Sequence, residues 1–293
     1  MTLYEEVRTA LREAAFRPKK SLGQNFLIHE HVIDSVLRLL DLTASDQVVE
    51  IGPGLGFLTR RLLERAAKVW AIEIDPVLVE HLRRAEFAAD PKLELTHGDI
   101  LTVALPEPWS KKKLKLAGNL PYSISTPVLF RIFEWREHFS TLVLMLQKEV
   151  ADRMASGPGT KVYGSLSVWC QMHGRISEKV SVSPEAFFPR PKVRSTILKF
   201  ELYDQPLVRA EETAALRGLV HAAFGQRRKT LGNALSAWLK GGKGEIERLL
   251  HAVDVDPQRR GETLRIDEFI KLARAAREES VCCSPPNDSK GSF

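Results

Sequence analysis

Apolar residues recur at Val32, Ile33, Val36, Leu37, Leu39 and Leu40, a spacing that turns one face of a helix over 31–40 toward a core. Residues 3–15 also carry helical spacing, with acidic and basic positions mixed, until Arg17-Pro18-Lys19-Lys20 interrupts it; the stretch 1–24 reads as an N-terminal arm. From Gln47 the period changes. Gln47-Val48-Val49-Glu50-Ile51 is a short apolar run suited to a buried strand, and a Gly-Pro-Gly turn follows it. Next come a helix at 57–66, a strand at 68–74, a helix at 76–84 and a strand at 93–97, with further strands at 115–118 and 141–147. Strands alternating with helices predict an α/β fold over 25–204, a mostly parallel sheet covered by helices. Beyond Asp204-Gln205-Pro206 only helical periodicity remains, at 213–224, 230–239, 245–252 and 266–276, so 205–279 is expected to form a small all-helical domain. The stretch 280–293 has no periodicity and is expected to be disordered.

A chain of 293 residues is long enough for a full α/β core with a smaller second domain. Its 43 Lys and Arg against 37 Asp and Glu leave a net charge of +6, which favours an anionic partner. No apolar run approaches the roughly 18 residues of a membrane span, and Met1-Thr2-Leu3-Tyr4-Glu5-Glu6 lacks the apolar region of a secretory signal. The expectation is a cytoplasmic protein without a membrane partner. Cys170 reads as a core residue, and the adjacent Cys282 and Cys283 give neither a disulfide framework nor a zinc spacing. The histidines show no His-Glu-x-x-His pattern, so no metal is predicted.

Candidate chemistry concentrates at two turns. Gly52, Gly54 and Gly56 follow the first strand of the alternating pattern, where glycine lets the backbone approach a ligand and the next helix presents free amides. Ligands of a parallel sheet bind beyond the carboxyl ends of its strands, which gathers this turn with the ends of neighbouring strands. The spacing is Gly-x-Gly-x-Gly, not the Gly-x-Gly-x-x-Gly of pyrophosphate-bearing dinucleotides, and S-adenosyl-L-methionine has no phosphate to accommodate. Glu73, ending the next strand, is placed to accept from both ribose hydroxyls; a solvated strand-end carboxylate is the alternative. Asp99 can accept from an adenine amine while Ile100 packs on the ring, or it can close an Asx turn. Asp75 is expected to cap a helix ahead of Pro76.

The second turn is Asn119-Leu120-Pro121-Tyr122. The exocyclic amine of adenine is a poor nucleophile because its lone pair is delocalised into the ring. A side-chain amide oxygen and a backbone carbonyl that accept hydrogen bonds from the amine weaken that delocalisation, and an aromatic ring can stack on the extruded base. This turn offers all three, and its proline removes a backbone donor and stiffens the chain.

Both turns belong to an ordered set: Pro18-Lys19-Lys20-Ser21-Leu22-Gly23-Gln24-Asn25-Phe26-Leu27, Glu50-Ile51-Gly52-Pro53-Gly54-Leu55-Gly56, Gly118-Asn119-Leu120-Pro121-Tyr122, Met145-Leu146-Gln147-Lys148-Glu149-Val150, Phe187-Phe188-Pro189-Arg190-Pro191-Lys192-Val193 and Phe224-Gly225-Gln226-Arg227-Arg228-Lys229-Thr230-Leu231. The set resembles the bacterial small-subunit (16S) rRNA adenine N6,N6-dimethyltransferases over residues 18–275. That resemblance implies a Rossmann-like, S-adenosyl-L-methionine-dependent methyltransferase sheet followed by a small helical RNA-binding domain. It implies that Asn25, Leu27, Gly52, Glu73, Asp99 and Asn119 hold the cofactor, Asn25 and Leu27 on likeness alone, and the glycine turn and the ring contact add Gly54 and Ile100 to that set. Asn119, Leu120, Pro121 and Tyr122 would serve the target base, with Phe187 as a second aromatic wall, or Phe188 if the loop register differs. Lys19, Lys20, Arg190 and Lys192 near the site, and Arg227, Arg228 and Lys229 in the helical domain, would neutralise phosphates unless they are a solvated face. Gly232 stands where the family more often has a basic residue, so one phosphate contact is expected to be missing.

The implied reaction is dimethylation of two adjacent adenosines at N6 in the 3′-terminal hairpin of small-subunit rRNA, within an immature 30S particle and by a monomer. A related methyltransferase of large-subunit rRNA is less favoured by the helical domain and its Arg-Arg-Lys run. A noncatalytic RNA-binding assembly factor would not need Glu73, Asp99 and Asn119 together. A dinucleotide oxidoreductase conflicts with the glycine spacing.

Overall fold

The computed structural model describes all residues except 1, 14–15, 20–21, 106–108, 110–112, 122–123, 237, 239–241 and 279–293. Lys20, Tyr122 and the expected disordered tail therefore lie outside the described residues. The elements run α1 (Leu3–Glu13), β1 (Phe26–Leu27), α2 (Glu30–Leu40), β2 (Gln47–Ile51), α3 (Phe57–Leu63), β3 (Lys68–Glu73), α4 (Pro76–Arg84), β4 (Leu93–His97), β5 (Leu114–Asn119), α5 (Ser125–Glu134), β6 (Phe139–Gln147), α6 (Lys148–Ala155), α7 (Ser165–His173), β7 (Gly174–Val182), β8 (Phe187–Phe188), β9 (Ser195–Leu202), α8 (Ala210–Gly225), α9 (Leu231–Leu235), α10 (Gly242–Ala252) and α11 (Ile266–Glu278). They form two compact units, Met1–Ala151 with Gly174–Asp204, and Asp152–His173 with the chain from Gln205 on.

The first unit is built on a seven-stranded sheet of order β4-β3-β2-β5-β6-β9-β7. β4, β3, β2, β5 and β6 are mutually parallel, and β9 and β7 add antiparallel at one edge. β2 and β3 are buried on both faces, which accounts for their unbroken apolar runs. From β2 the chain proceeds outward through β3 to β4, then returns to place β5 on the other side of β2. The strand order therefore reverses between β2 and β5, and the crevice opens beyond their carboxyl ends.

α2 buries the apolar positions read from the sequence, and Asp41 ends it in the left-handed conformation with its amide donating to the Leu37 and Arg38 carbonyls. Lys115 reinforces that end, its Nζ donating to the carbonyls of Leu40 and Asp41 at 2.9 and 2.6 Å and pairing with Asp46 at 3.1 Å. The N-terminal arm is docked: Leu3, Val7 and Leu11 of α1, with Phe16, join the core cluster that holds Val32, Ile33 and Leu37. Burying each such side chain stabilises the arm by about 1.5–3 kcal/mol.

The second unit is helical. Phe224 of α8 stacks on Phe269 of α11 with centroids 5.9 Å apart, and Tyr163 meets the Phe224 ring edge-on at 5.8 Å. The Tyr163 hydroxyl donates to the Leu264 carbonyl at 2.9 Å, and burial raises its pKa. At Gly261 a Cβ would lie 2.7 Å from the Ala223 carbonyl oxygen, so only glycine lets that turn close on α8. The sequence assigned 152–173 to the sheet-bearing domain; the structure gives it to the helices. α7 is apolar on most faces, burying Leu166, Val168, Trp169, Cys170 and Met172, so its periodicity gave no sign that its packing partners are α8 and α11. Helix 230–239 is shorter than expected, as α9 ends at Leu235. Among the described residues no helix is long and apolar enough to cross a membrane, and no group of three or more His, Cys, Asp and Glu is arranged to hold a metal ion.

Candidate active site

The crevice beyond β2 and β5 is a cleft floored by Gly52 to Leu55 of the glycine turn and walled by residues 22–27, the ends of β3 and β5, and Gly98 to Ile100 after β4. Gly52, Gly54 and Gly56 have φ of 68°, 61° and 83°, in the left-handed region. Their needs differ. A Cβ at Gly56 would stand 2.5 Å from Phe87 Cζ and one at Gly54 3.2 Å from Phe26 Cε1, whereas nothing lies within 4 Å of the Cβ position of Gly52. Packing thus requires glycine at 56 and crowds any side chain at 54, while Gly52 leaves bare backbone toward the cleft.

The carboxylates Glu73 and Asp99 line this cleft together with the more deeply buried carboxyl of Glu50, and among its described lining residues there is no Lys or Arg. Such a lining repels a pyrophosphate and complements a cationic sulfonium and ammonium. The chemistry of the donor set, with the bare backbone at Gly52, fits S-adenosyl-L-methionine.

Glu73 is buried and held by backbone on both sides: the Gly54 amide donates to Oε2 at 3.0 Å and the Asp75 amide to Oε1 at 2.9 Å. Burial raises its pKa; the amides of Asp75, Gly54 and Ile74 oppose that rise, and the charge of Asp75 adds to it. The carboxylate keeps acceptor capacity toward the cleft for a ribose hydroxyl. Asp75 caps α4 as expected, its Oδ1 accepting from the Val77 amide at 3.0 Å with Pro76 in the first helical position. Asp99 does form the Asx turn, Oδ1 accepting from the Leu101 amide at 2.9 Å, yet it also lines the cleft beside the buried Ile100. The two readings of Asp99 are compatible, because the local bond occupies one oxygen.

Glu50 escaped the sequence reading. It lies 2% exposed beneath the glycine turn, where its Oε2 accepts the Thr59 hydroxyl of α3 at 2.7 Å. Burial pushes its carboxyl up to about 7, against the Thr59 bond and with help from the Glu73 charge. The available signal was one acidic residue inside the apolar run of β2.

Asn119 ends β5 and donates through Nδ2 to the Asn25 carbonyl at 3.1 Å, which leaves Oδ1 as the acceptor of its amide. Asn25 donates to the Gly23 carbonyl at 2.9 Å, and both Asn25 and Leu27 line the cleft. Pro121 lines it too; its carbonyl accepts from the Ile124 amide at 3.1 Å and the Ser125 hydroxyl at 3.0 Å, opening α5. Leu120 is buried and donates its amide to the Met145 carbonyl at 3.1 Å.

Several expected residues lie elsewhere. Phe187 is 2% exposed in the core cluster, opposite Leu27 in the β1–β8 pair, and is not among the residues lining the cleft. Phe188 is partly buried and meets Tyr4 edge-on, centroids 6.3 Å apart. Lys19 pairs with Asp75 at 2.9 Å, and Arg190 pairs with Glu185. Arg227 is tied within the helical unit, to Glu262 at 2.9 Å and to the carbonyls of Lys161 and Tyr163 at 3.0 Å each. Lys192, Arg228 and Lys229 are exposed. Gly232 is buried, its amide donating to the Pro257 carbonyl at 3.1 Å, so this position serves packing in the present chain.

Comparison with known proteins identifies the family. The model of the ribosomal RNA adenine dimethylase family matches residues 15–275. Ribosomal RNA small subunit methyltransferase A of Geobacter metallireducens is 45% identical over 269 residues, covering 90% of this chain and 98% of the relative. The protein of that name from Alkaliphilus oremlandii is 39% identical over 274 residues, covering 92% and 95%. Among solved structures, a dimethyladenosine transferase from Plasmodium falciparum aligns with a TM-score of 0.77 at 26% identity over 88% of this chain and 99% of that one. The 23S rRNA methyltransferase ErmE aligns with a TM-score of 0.64 at 25% identity over 86% and 99%. Fold, cleft and relatives agree: the chain belongs to the ribosomal RNA adenine dimethylase family, enzymes that use S-adenosyl-L-methionine to dimethylate adenine in ribosomal RNA.

Proposed function

We propose that this enzyme dimethylates N6 of two adjacent adenosines in the 3′-terminal hairpin of small-subunit rRNA, acting as a cytoplasmic monomer on an immature 30S particle. The choice of small subunit is supported by the names of the relatives that match almost end to end. The observation that carries the chemistry is the Asn119 amide, oriented by Asn25 at the edge of the cofactor cleft.

Bound in the cleft, S-adenosyl-L-methionine supplies an electrophilic methyl group. Gly52 presents backbone to it, Glu73 accepts from the ribose hydroxyls, and Asp99 with Ile100 receives the adenine. Asn119 Oδ1 accepts one hydrogen of the target amine. The Leu120 carbonyl takes the other, since that of Pro121 is engaged by Ile124 and Ser125. These bonds draw the amine out of conjugation and aim its lone pair. The methylated nitrogen is acidic and releases its proton to water, so no carboxylate base is required. Tyr122 stacks on the base in this reading. Phe187 has little surface to offer in the present form, so its role as a second wall needs β8 to shift. Arg228 and Lys229 hold phosphates.

The test is methyl transfer to immature small subunits from a strain lacking the modification, with large-subunit RNA as competitor. Incorporation confined to the two adjacent adenosines is expected; transfer to large-subunit RNA instead would overturn the assignment.

A further inference from the structure

One wall of the cofactor cleft runs from Leu22 to Leu27, yet its secondary structure is slight: the two-residue β1, paired only with β8. A wall with so little backbone pairing is held by side-chain ties. At one end Asp75, whose side chain is fully buried, receives Lys19 Nζ and Gln24 Nε2 on the same oxygen, Oδ2, each at 2.9 Å. Gln24 is itself oriented, as its Oε1 receives the Lys19 backbone amide at 2.7 Å. At the other end the Asn25 carbonyl receives Asn119 Nδ2. The backbone amide of Asp75 reaches Glu73, so one residue joins this wall to the ribose acceptor.

We infer that Lys19, Gln24 and Asp75 are positioning residues for the cofactor: their tie fixes Asn25 and Leu27 in the cleft, and Lys19 serves there and not on an RNA phosphate. Exposed ion pairs contribute little, but this acceptor is buried and gathers three donors, counting the Val77 amide. Burial raises the Asp75 pKa, and Lys19, Gln24 and Val77 outweigh it, so the carboxyl lies below its usual range. Without Lys19 the buried carboxylate loses its counter-ion. A packing route runs the same way. The Lys19 ammonium lies 6.0 Å from the Phe16 ring centre, Phe16 meets Phe26 edge-on at 6.0 Å, and Phe26 presses on the Gly54 position.

Titration calorimetry with S-adenosyl-L-methionine tests this on Lys19→Ala, Lys19→Arg, Gln24→Ala, Asp75→Asn and the Lys19→Ala/Asp75→Asn double variant. Lys19→Ala should weaken cofactor binding about five- to tenfold, and Lys19→Arg should stay within about twofold of the parent. The double variant should bind no more weakly than the weaker single one, because both remove the same tie. With cofactor saturating, Lys19→Ala should keep the parental RNA affinity and salt slope, whereas loss of a phosphate contact would lower the slope by about one. Parental cofactor affinity in Lys19→Ala, additive losses in the double variant, or a reduced salt slope would each overturn the inference. Asp75 also caps α4; if Asp75→Asn does not fold, Lys19→Ala/Gln24→Ala replaces the double variant under the same criteria.

Discussion

Glu73 takes the Gly54 amide on one carboxylate oxygen and the Asp75 amide on the other, so the end of β3 is fastened to the glycine turn before any ligand arrives. The proposed ribose acceptor is thus held in one orientation. Glu73→Ala is expected to weaken S-adenosyl-L-methionine binding by roughly 1–3 kcal/mol, the scale of hydrogen bonds to a charged acceptor. Calorimetry on a variant shown to be folded measures this directly, and unchanged affinity would remove the ribose assignment.

Glu50 gives stability a pH dependence. A carboxyl raised from 4.5 to about 7 on folding contributes stability that is full below its unfolded pKa and is lost as pH rises through about 7. Glu50→Gln keeps an acceptor for Thr59 without the charge. The variant should exceed the parent by about 1–3 kcal/mol at about pH 8.5 and by under about 1 kcal/mol at about pH 5. Denaturant melts across this range provide the comparison; a difference that does not change with pH would show that Glu50 stays ionised.

The Arg227-Arg228-Lys229 run is expected to divide into two roles. Arg227→Ala should destabilise the helical unit by about 1–3 kcal/mol, since it strips a charged donor from two carbonyls and Glu262. Arg228→Ala and Lys229→Ala should leave melting unchanged and each reduce the salt slope of RNA binding by about one. Melting curves paired with binding isotherms at several salt concentrations separate the roles. Parental slopes in both exposed variants would mark them as a solvated face.

Asn119→Ala should slow methyl transfer by about a hundredfold while changing RNA affinity little, because in the proposed mechanism phosphate contacts dominate binding and the amide acts at the reacting nitrogen. Single-turnover transfer of labelled methyl groups, with cofactor saturating, isolates that step. A parental rate would exclude Asn119 from the chemistry.

The legible parts of this chain were those encoded locally. α4 has its cap at Asp75, its proline and its stop at Arg84 within one short stretch, and the glycine turn announces itself by spacing. Lys19 and Arg227 looked like free cations because a sequence shows charge without showing the carboxylate or carbonyl opposite it. Phe187 could not be separated from a wall residue, since its burial depends on pairing with Leu27 far upstream. β7 and β9 went unread because their partners are set by a long-range antiparallel register, not by alternation within either strand.

The discontinuous helical unit has a consequence for synthesis. The ribosome delivers α7 before β7 and β9, so the strands that complete the sheet emerge while α8 and α11, the helices α7 packs with, are still unmade. Domains fold in the order in which they become available. Here that order leaves Leu166, Trp169 and Met172 without α8 and α11 through the whole sheet-forming stage. The second unit can therefore be completed only after α8 and α11 are made, whereas the strands of the sheet precede both in the chain.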